Sequence, residues 1–559
     1  MKKLLLIGLL LGSAAFALDP DDDDLCMHDC RCKFTSQSTF VAPEVFRLNS
    51  PVRISMFRPD FLYENLDMQD DSCWHGAAQA VVFGGKVTRN RDLARFFLPS
   101  CHSTMHVQEL QGDPENTDIL GQNIGINTLT ANFVSKVTVR PHQKYIGLGL
   151  EYMHLLWKRD DGRALWFGIA APIMHVRNCF EICEEIVNGG HGVLPVNIVG
   201  SPAAATIPNP ALRNCHGCPS TCLSSQDPNL ANAPVASFSE AMRQPSFCFG
   251  RIDNSCCDMR KSGIADLELR LGGQLVDSEC CALDSYWGVI IPTGNRPRAR
   301  FMWEPIIGNR RHFGMVFGNS VRFSLWHDDV GDKRLSVSFD FSGQYLFARK
   351  ELRSFDVKNK PWSRYLPVYN GVDQAVTAFN LLQTSINSAV LLNTPGINVF
   401  TQELRVRPGF SRTLNTALIY EHCALTFEGG YNFYARQAEC VELACPFNHD
   451  IAFRSILGGG LTDRFIQIND ENTGCAQFAN TVEDVVANFA ANRITEQQLD
   501  LESAAHPAYY AHMVYASVGY TWQTCENPVV LSVGGSYEFG PDNAVLNRWT
   551  AWGKVSISF

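Results

Sequence analysis

Long hydrophobic runs are scarce in this chain of 559 residues. The longest nearly apolar run, residues 164–174, is shorter than the roughly 20 apolar residues that a membrane-spanning helix requires. Basic residues are the minority, 47 against 57 acidic ones, and this balance disfavours a nucleic-acid partner. If the protein lies in a membrane, it must cross it as strands, of which only alternate residues meet lipid.

Catalytic and cofactor motifs are also missing. No Ser, His and acidic residue stand at motif spacing, although such partners need not be adjacent in sequence. No phosphate-binding glycine loop occurs. Cys215, Cys218 and Cys222 have metal-like spacing, but Pro219 stands where a c-type haem site needs His. We expect a protein that is not an enzyme and that holds no cofactor and no metal.

The N-terminus has the pattern of a secretory signal peptide. Two lysines precede the apolar run 4–11, and residues 15–17, Ala-Phe-Ala, form a small-x-small cleavage site. We expect residues 1–17 to be removed by cleavage after Ala17, followed by an acidic, cysteine-containing segment over residues 18–76. Export also makes disulfides the expected state of the cysteines.

Apolar and polar residues alternate with a period of two, the pattern of a strand with two different faces. In residues 547–559 one face is apolar and the other is mostly polar. The apolar face consists of Trp549, Ala551, Gly553, Val555, Ile557 and Phe559, and the opposite face of Arg548, Thr550, Trp552, Lys554, Ser556 and Ser558. In a membrane barrel, lipid would meet the first face and a wet interior the second.

The connections between strands fall into two classes. From residue 129 onward the sequence contains twelve strand-like segments, among them 129–139, 145–157 and 403–420, and two more fit before it. The tight connections are 158–163, 276–280, 327–332, 421–422 and 524–527, and the long ones are 178–261, 292–312, 348–402 and 437–508. The two classes alternate, which is typical of outer-membrane barrels with short periplasmic turns and longer outside loops.

The final strand resembles a known structural class. It ends in Phe559, with Ile557 and Val555 at every second position before it, and in this it resembles the closing strand of bacterial outer-membrane β-barrels. The resemblance implies a location in the outer membrane and contact with its lipid. It also implies insertion by the barrel-assembly machinery, with Phe559 as the recognition signal.

We therefore predict an all-β fold, a transmembrane antiparallel up-and-down β-barrel over residues 77–559. Bacterial barrels have even strand numbers, and about 12–16 strands fit, with about 14 as the best estimate. The long extracellular loops are 178–261, 348–402 and 437–508. The second and third carry apolar residues at helical spacing, so we expect short helices there.

Charged residues on the polar faces suggest what the barrel carries. By parity, ten of them face the interior: Glu151, Asp266, Glu268, Arg270, Asp340, Glu403, Arg405, Arg407, Glu428 and Arg436. Because charges of both signs can tune ion selectivity in a pore, the leading hypothesis is a porin-like channel for passive diffusion of small hydrophilic solutes. Alternatively, these charges pair with one another and plug a narrow barrel, since buried charges need partners.

Two other functions fit the sequence. One is a structural or adhesive outer-membrane protein whose barrel serves only as an anchor. The other is a channel for hydrophobic molecules, because residues 292–297, Pro-Thr-Gly-Asn-Arg-Pro, with residues 301–308 resemble outer-membrane channels of the hydrophobic-substrate type. That resemblance implies an apolar path through the barrel.

The chain has 20 cysteines, an unusual number for a barrel. We expect disulfides in the loops, and the candidates are Cys179, Cys183, Cys215, Cys218, Cys222, Cys248, Cys256, Cys257, Cys440, Cys445 and Cys475. In its cysteine content the chain resembles the major outer-membrane proteins of chlamydia-like bacteria. The resemblance implies disulfide cross-links to other envelope proteins, and a homo-oligomer is the second expected arrangement.

Overall fold

The computed structural model describes residues 32–58, 75–88, 90–108, 119–124, 126, 133–159, 163–189, 235, 237–252, 259–278, 280–328, 331–384, 393–453, 481–522 and 527–559. The predicted signal peptide lies outside these ranges. No helix in the described part of the chain combines the length and the apolar character that a bilayer crossing needs.

Strands dominate the structure. In chain order they are β1 (Gly76–Val87), β2 (Thr104–Gln108), β3 (Ile119–Leu120), β4 (Phe133–Lys158), β5 (Ala164–Gly189), β6 (Arg260–Ile264), β7 (Leu267–Ser278), β8 (Cys281–Ile291), β9 (Gly314–Asp328), β10 (Lys333–Leu346), β11 (Arg349–Ser354), β12 (Asp356–Val357), β13 (Pro367–Asn370), β14 (Thr394–Pro395), β15 (Thr401–Arg407), β16 (Ser411–His422), β17 (Leu425–Arg436), β18 (Cys440–Leu443), β19 (Ile451–Phe453), β20 (Leu499–Asp500), β21 (Tyr509–Trp522), β22 (Val529–Phe539) and β23 (Arg548–Ser558). The α-helices are α1 (Pro51–Ile54), α2 (Asn90–Phe97), α3 (Phe238–Ala241), α4 (Val372–Thr384), α5 (Gly396–Val399) and α6 (Val482–Ala491).

Twelve of these strands form a closed antiparallel barrel. Around the wall their order is β1, β23, β22, β21, β17, β16, β10, β9, β8, β7, β5 and β4, and β4 pairs with β1 again. The first and last wall strands therefore meet, with Ala77 opposite Ser558. At this seam Gly76 N donates to Phe559 O over 2.7 Å.

The period of two decides which side chains face outward. In β23, Val555 is 44% exposed and Ile557 36% exposed, whereas the alternate residues Lys554 and Ser556 are buried. The alternation predicted for this strand is confirmed. Apolar side chains on the outer face of a closed barrel and polar ones within it are the reverse of a soluble protein's arrangement.

The best estimate of 14 strands is wrong for two reasons. Residues 129–139 and 145–157, predicted as two strands, contribute to the single strand β4, and of the two strands expected before residue 129 only β1 belongs to the wall. Pro141 lies between the first two ranges and cannot donate a ladder hydrogen bond. The N–H of Val139, two residues earlier, points toward the edge of β4 that pairs with β2 and β1, so the nitrogen of Pro141 faces the same edge. β1 pairs with β4 only from Lys144 onward. Pro141 therefore lies opposite a gap in the pairing, and the strand continues through it.

Connections between neighbouring wall strands lie at two rims. At one, the turn rim, they are short: 159–163, 279–280, 329–332, 423–424 and 523–528. At the other, the loop rim, they are 88–132, 190–266, 292–313, 347–410, 437–508 and 540–547. Strand β1 starts at the turn rim, beside the end of β23.

The long connections build a cap over the loop rim. Three small sheets belong to it, in the orders β11-β15-β18, β12-β20 and β14-β13-β19. Helices α4 and α6 pack through Phe379, Val485 and Phe489. Thr481 begins α6 with a capping box, in which its hydroxyl accepts from Asp484 N over 3.1 Å and Asp484 Oδ2 accepts from Thr481 N over 3.0 Å.

An aromatic cluster forms the core of the cap. The ring centroids of Phe40 and Phe96 are 4.9 Å apart, those of Phe97 and Phe180 5.3 Å, and those of Phe180 and Trp303 5.8 Å. Edge-on and tilted contacts at these separations are favourable for aromatic rings. Strands β4 and β5, each of 26 residues, extend past the wall to contribute residues to this core.

Candidate functional site: the barrel lumen

Residues 33–58, the lumen segment, run from the cap into the barrel. The segment starts at the loop rim, where Lys33 N and Phe34 N donate to Asn543 Oδ1 over 3.2 and 3.1 Å. Further along, Met56 N donates over 3.0 Å to a carboxylate oxygen of Glu428, three residues from the turn-rim end of β17. The segment thus crosses the lumen from the loop rim toward the turn rim.

Arg53 forms the central attachment of the lumen segment to the wall. Its Nη2 lies 3.0 Å from Glu151 Oε1 and 2.8 Å from Glu268 Oε1. Arg270 of the wall contacts Glu151 as well, and its Nε lies 3.0 Å from Glu268 Oε1. All four side chains are buried, so two guanidinium groups and two carboxylates neutralise one another away from bulk solvent.

Two further arginines attach the segment at other heights. Arg58 Nη2 lies 2.7 Å from Glu428 Oε1, and its Nε lies 3.6 Å from Asp340 Oδ2. Nearer the loop rim, Arg47 Nη2 donates to Asn432 Oδ1 over 3.0 Å. Charge-assisted bonds of this kind are the stronger class of hydrogen bond, and they fix the segment along its length.

Glycines in the wall give the lumen segment room. A Cβ atom on Gly149 would lie 2.2 Å from the ring of Phe46, and one on Gly519 would lie 2.3 Å from the sulfur of Met56. Real Cβ atoms do not approach other atoms so closely. The wall is therefore shaped to the segment, as close packing requires.

Five of the predicted interior charges lie on wall strands, and all five are buried: Glu151, Glu268, Arg270, Asp340 and Glu428. Asp266, the residue before β7, is buried as well. Asp266 accepts from Gly294 N over 3.2 Å and so holds connection 292–313. Arg436, the last residue of β17, lies 3.0 Å from Glu439 at the loop rim. That these residues line a conducting pore stays a prediction.

The other three, Glu403, Arg405 and Arg407, do not lie on the wall. They belong to β15, which pairs with β11 and β18 in the cap. Pro408 and Gly409 separate this strand from β16, which begins at Ser411. Proline cannot donate to a ladder and glycine weakens a strand, so the predicted continuous strand over 403–420 is wrong.

Sequence reasoning missed the lumen segment. Arg47, Arg53 and Arg58 attach the segment to the wall, and Gln79 and Lys554 of the wall bond its backbone. Gln79 Nε2 donates to Arg53 O over 2.9 Å, and Lys554 Nζ donates to Ser55 O over 2.7 Å. One feature of the sequence could have indicated it. Three arginines, spaced six and five residues apart, precede the first strand, and the predicted wall charges include carboxylates that could pair with them.

A cavity of about 1000 Å³, partly open to solvent, lies between the lumen segment, connection 292–313 and the wall. Its apolar lining includes Phe40, Tyr145, Trp303, Ile306 and Leu346. The first and third of these also belong to the aromatic cluster of the cap. The cavity therefore continues the apolar interior of the cap into the lumen.

Buried charges border this cavity at the loop rim. We name them the rim cluster; its members are Arg310, His312, Glu351, Arg353, Arg436 and Glu439. Burial alone would raise the pKa of Glu351, but Arg310 and Arg353 together with a hydrogen bond from His312 lower it to about 2. Against the same effect of burial, Arg353 and Arg436 lower the pKa of Glu439. Both carboxylates are therefore ionised at neutral pH.

The predicted disulfide residues divide into four groups. Cys179 and Cys445 are disulfide-bonded. Cys183 and Cys440 carry free thiols, contrary to the prediction, because their cross-strand neighbours are Thr138 and an arginine rather than cysteines. Cys248 lies in the cap, where its N donates to an asparagine. Cys215, Cys218, Cys222, Cys256, Cys257 and Cys475 lie outside the described residues.

Neither a metal site nor a role for the terminal residue follows directly from the geometry. The described ranges contain no group of three or more His, Cys, Asp or Glu residues placed to hold a metal ion. The ring of Phe559 stacks on that of Tyr152, with centroids 6.3 Å apart. Its service as an assembly signal stays a prediction.

Comparison with known proteins gives weak likenesses to outer-membrane barrels. A scan against protein families finds no match, and a search of curated proteins finds none either. An outer membrane channel from Pseudomonas putida F1 is 8% identical with a TM-score of 0.35, over 89% of this chain and 99% of that one. A FadL homologue from Pseudomonas aeruginosa is 8% identical with a TM-score of 0.26, over 87% and 90%. The Pseudomonas putida toluene transporter TodX is 8% identical with a TM-score of 0.24, over 96% and 98%. None of the three supports the likeness to chlamydia-type proteins.

Proposed function

We propose that this protein is an outer-membrane channel for hydrophobic molecules and that its lumen segment closes it at rest. The observation that carries the proposal is the filling of the lumen. Arg53 and Arg58 of the segment pair with wall carboxylates that a water-filled path would need free. This pairing argues against the leading hypothesis of a porin for hydrophilic solutes.

The cavity at the loop rim supports the choice of solute. Its lining combines apolar side chains such as Ile306 and Leu346 with polar and charged ones, a combination that is typical of small-molecule sites. Phe40 and Trp303 join its lining to the aromatic cluster of the cap. These two rings therefore offer an apolar molecule a surface to bind at the loop rim.

The outer surface supports a place in the membrane. Wall strands of 11 to 15 residues outside the β4–β5 pair meet the roughly 9–11 residues that a spanning strand needs. Aromatic side chains are exposed at both rims: Trp157, Trp326, Tyr520 and Trp522 near the turn rim, and Phe313, Tyr345, Phe347, Tyr510 and Trp549 near the loop rim. Two such girdles flanking an apolar band are typical of membrane barrels.

Substituting the outer face tests the membrane placement. Val533, in the middle of β22, is 55% exposed, and we expect Val533→Arg to cost about 2–4 kcal/mol of folding free energy in lipid. The control is Val486→Arg on α6 in the cap, where a residue 44% exposed would meet water. Folding into vesicles at graded urea measures both. Equal costs for the two variants would contradict the placement.

Planar-bilayer recording tests the closure. We expect the refolded, oxidised full chain to show no steady conductance steps, and a variant lacking residues 33–58 to show discrete ones. Should the deletion fail to fold, Arg53→Met combined with Arg58→Met detaches the same segment and should open the lumen partly. Large regular steps from the unaltered chain would restore the hydrophilic porin and overturn this proposal.

Binding of a neutral apolar probe tests the choice of solute. N-phenyl-1-naphthylamine should bind the full chain saturably, and Ile306→Asp should weaken this binding at least tenfold by charging the cavity wall. The matched control is Ile186→Asp, at an exposed position of the β4–β5 extension, which should leave binding unchanged. A probe that does not bind, or binds both variants equally, would contradict an apolar path.

A further inference from the structure

The rim cluster contains more cationic than anionic groups. Its two carboxylates, Glu351 and Glu439, are shared by Arg353, whose guanidinium lies 3.0 Å from the first and 2.5 Å from the second. Arg436 takes a further contact with Glu439 at 3.0 Å. Arg310 is the third guanidinium, so three face two carboxylates within this cluster. One positive charge is left without a carboxylate of its own.

Arg310 carries this surplus. Only 8% of the residue is exposed, and its nearest carboxylate oxygen, on Glu351, lies 3.5 Å from Nε. Among the described residues its Nε and Nη1 are buried without a hydrogen-bond partner. His312 Nε2, at 2.6 Å, already bonds the other oxygen of Glu351. A buried donor left unpaired is costly, so Arg310 is poised for an acceptor that arrives from elsewhere.

The same side chain lines the cavity at the loop rim. Arg310 borders it together with Phe40, Trp303, Ile306 and Leu346. We propose that the cavity binds an organic anion with an apolar body, such as an aromatic or short alkyl carboxylate, and that Arg310 contacts the anionic group. This inference rests on the proposed function and names the class of molecule that the channel takes.

A carboxylate suits Arg310 better than a simple inorganic anion would. The guanidinium presents its N–H groups as a planar fork that matches the two oxygens of a carboxylate. The aromatic and aliphatic walls reward a ligand that also buries apolar surface, at roughly 25 cal/mol per Å². A small hydrated ion gains nothing from those walls.

Other charged groups at the cavity are already engaged. The two carboxylate oxygens of Glu304 accept from Arg298 N and Arg300 N over 2.6 and 2.8 Å. Arg548 donates to Glu538 over 2.6 Å. Glu44 also borders the cavity, but burial, reinforced by the charges of Asp266 and Glu268, raises its pKa to about 8, so at neutral pH it is mostly protonated and does not repel an anion. Arg310 therefore remains the group that distinguishes an anion from its neutral analogue.

Calorimetry with two matched probes tests the inference. We expect the full chain, refolded and oxidised in nonionic detergent, to bind 2-naphthoate at least tenfold more tightly than the neutral 2-naphthamide. Arg310→Gln should abolish this preference, and Arg310→Lys should retain part of it, because lysine keeps the charge but loses the fork. The control Arg300→Gln removes an exposed arginine of the same connection and should leave the preference unchanged.

The outcomes separate this inference from the channel itself. Equal affinity for the two probes in the unaltered chain would overturn anion recognition, while binding of N-phenyl-1-naphthylamine would still support a hydrophobic channel. A preference that survives Arg310→Gln would overturn the role of Arg310. If none of the three probes binds, the channel proposal fails together with this one. The first comparison needs no variant, so poor folding of Arg310→Gln leaves the inference open to refutation.

Discussion

The middle of the lumen and its loop-rim end differ in how their buried charges are balanced. Around Arg53, two guanidinium groups face two carboxylates, and the wall and the lumen segment hold each other. In the rim cluster, three guanidinium groups face two carboxylates, and the surplus borders a cavity. A balanced set closes space, because every charge already has its partner. An unbalanced set beside open space favours a ligand that supplies the missing charge.

The largest effect should follow from unbalancing the charges around Arg53. Arg53→Met leaves Glu151 and Glu268 buried with only Arg270 between them, and removing one partner of a buried ion pair costs about 3–5 kcal/mol. Urea denaturation in vesicles measures the loss, and bilayer recording should show new conductance as the segment loosens. Arg405→Met, at an exposed position of the cap, is the control. Similar losses in the two variants would mean that the central attachment does not hold the segment.

A smaller effect should follow from crowding the lumen segment without touching its charges. Gly149→Ala places a methyl group against the ring of Phe46, and overpacking of this kind costs about 1–3 kcal/mol. Gly553→Ala is the control, because a Cβ there meets nothing within 4 Å. Thermal unfolding of both variants measures the difference. If Gly149→Ala were as stable as the control, the segment would have to lie elsewhere.

Acid should weaken the cap through His506 and Glu351. Burial lowers the pKa of His506 to about 3 from its ordinary 6.5, so between these values the unfolded cap binds a proton that the folded cap does not. The folded cap therefore loses stability as the pH falls from 6.5 toward 3, by up to about 1.4 kcal/mol per pH unit. Glu351, with its pKa lowered from 4.5 to about 2, adds a loss of the same sign below pH 4.5.

Near-ultraviolet circular dichroism of the cap tryptophans, followed on heating at pH 7 and pH 5, measures this loss. Burial lowers the pKa of His449 in the cap as well, so His506→Leu should remove one part of the difference and His449→Leu a further part. An unaltered chain whose cap melts at the same temperature at both pH values would contradict the assignment.

The smallest effect is expected from neutralising the surplus in the rim cluster. Arg310→Met leaves two guanidinium groups with two carboxylates and ends the burial of an unpaired donor. Replacing buried charge by apolar volume is often neutral or stabilising, so we expect a change in unfolding free energy within about 1 kcal/mol. Denaturation beside Arg53→Met gives the comparison. A loss as large as that of Arg53→Met would show that Arg310 is a structural partner rather than a ligand contact.

The outward and inward faces of the wall could be predicted from the sequence, but the segment that fills the barrel could not. A period of two assigns Val555 to one side and Lys554 to the other wherever the strand lies. It also placed Glu151 and Glu428 inside. Parity does not say whether an interior carboxylate meets water or an arginine, because that depends on a segment some hundred residues or more away in the chain.

Residues 33–58 carry no periodic pattern, since contacts with the surrounding wall fix their conformation. Their one regular element is the four-residue helix α1, which is too short to be predicted from the spacing of apolar residues. A proline lies at each of two wrong strand boundaries. Pro141 lies in the gap between two predicted strands, but an unpaired edge tolerates it and the strand continues. Pro408 lies within a predicted strand and marks its real end.

The course of the lumen segment sets an order for assembly. Lys33 is held at the loop rim, whereas β1 begins at the turn rim, so the polypeptide crosses the interior before its first wall strand starts. The seam between β1 and β23 joins the two ends of the wall. If the seam closed first, an extended chain bearing three arginines would have to thread a finished cylinder. That passage is avoided if the segment first lies across the open sheet and the seam then closes. The last hydrogen bonds of the wall would then enclose residues 33–58.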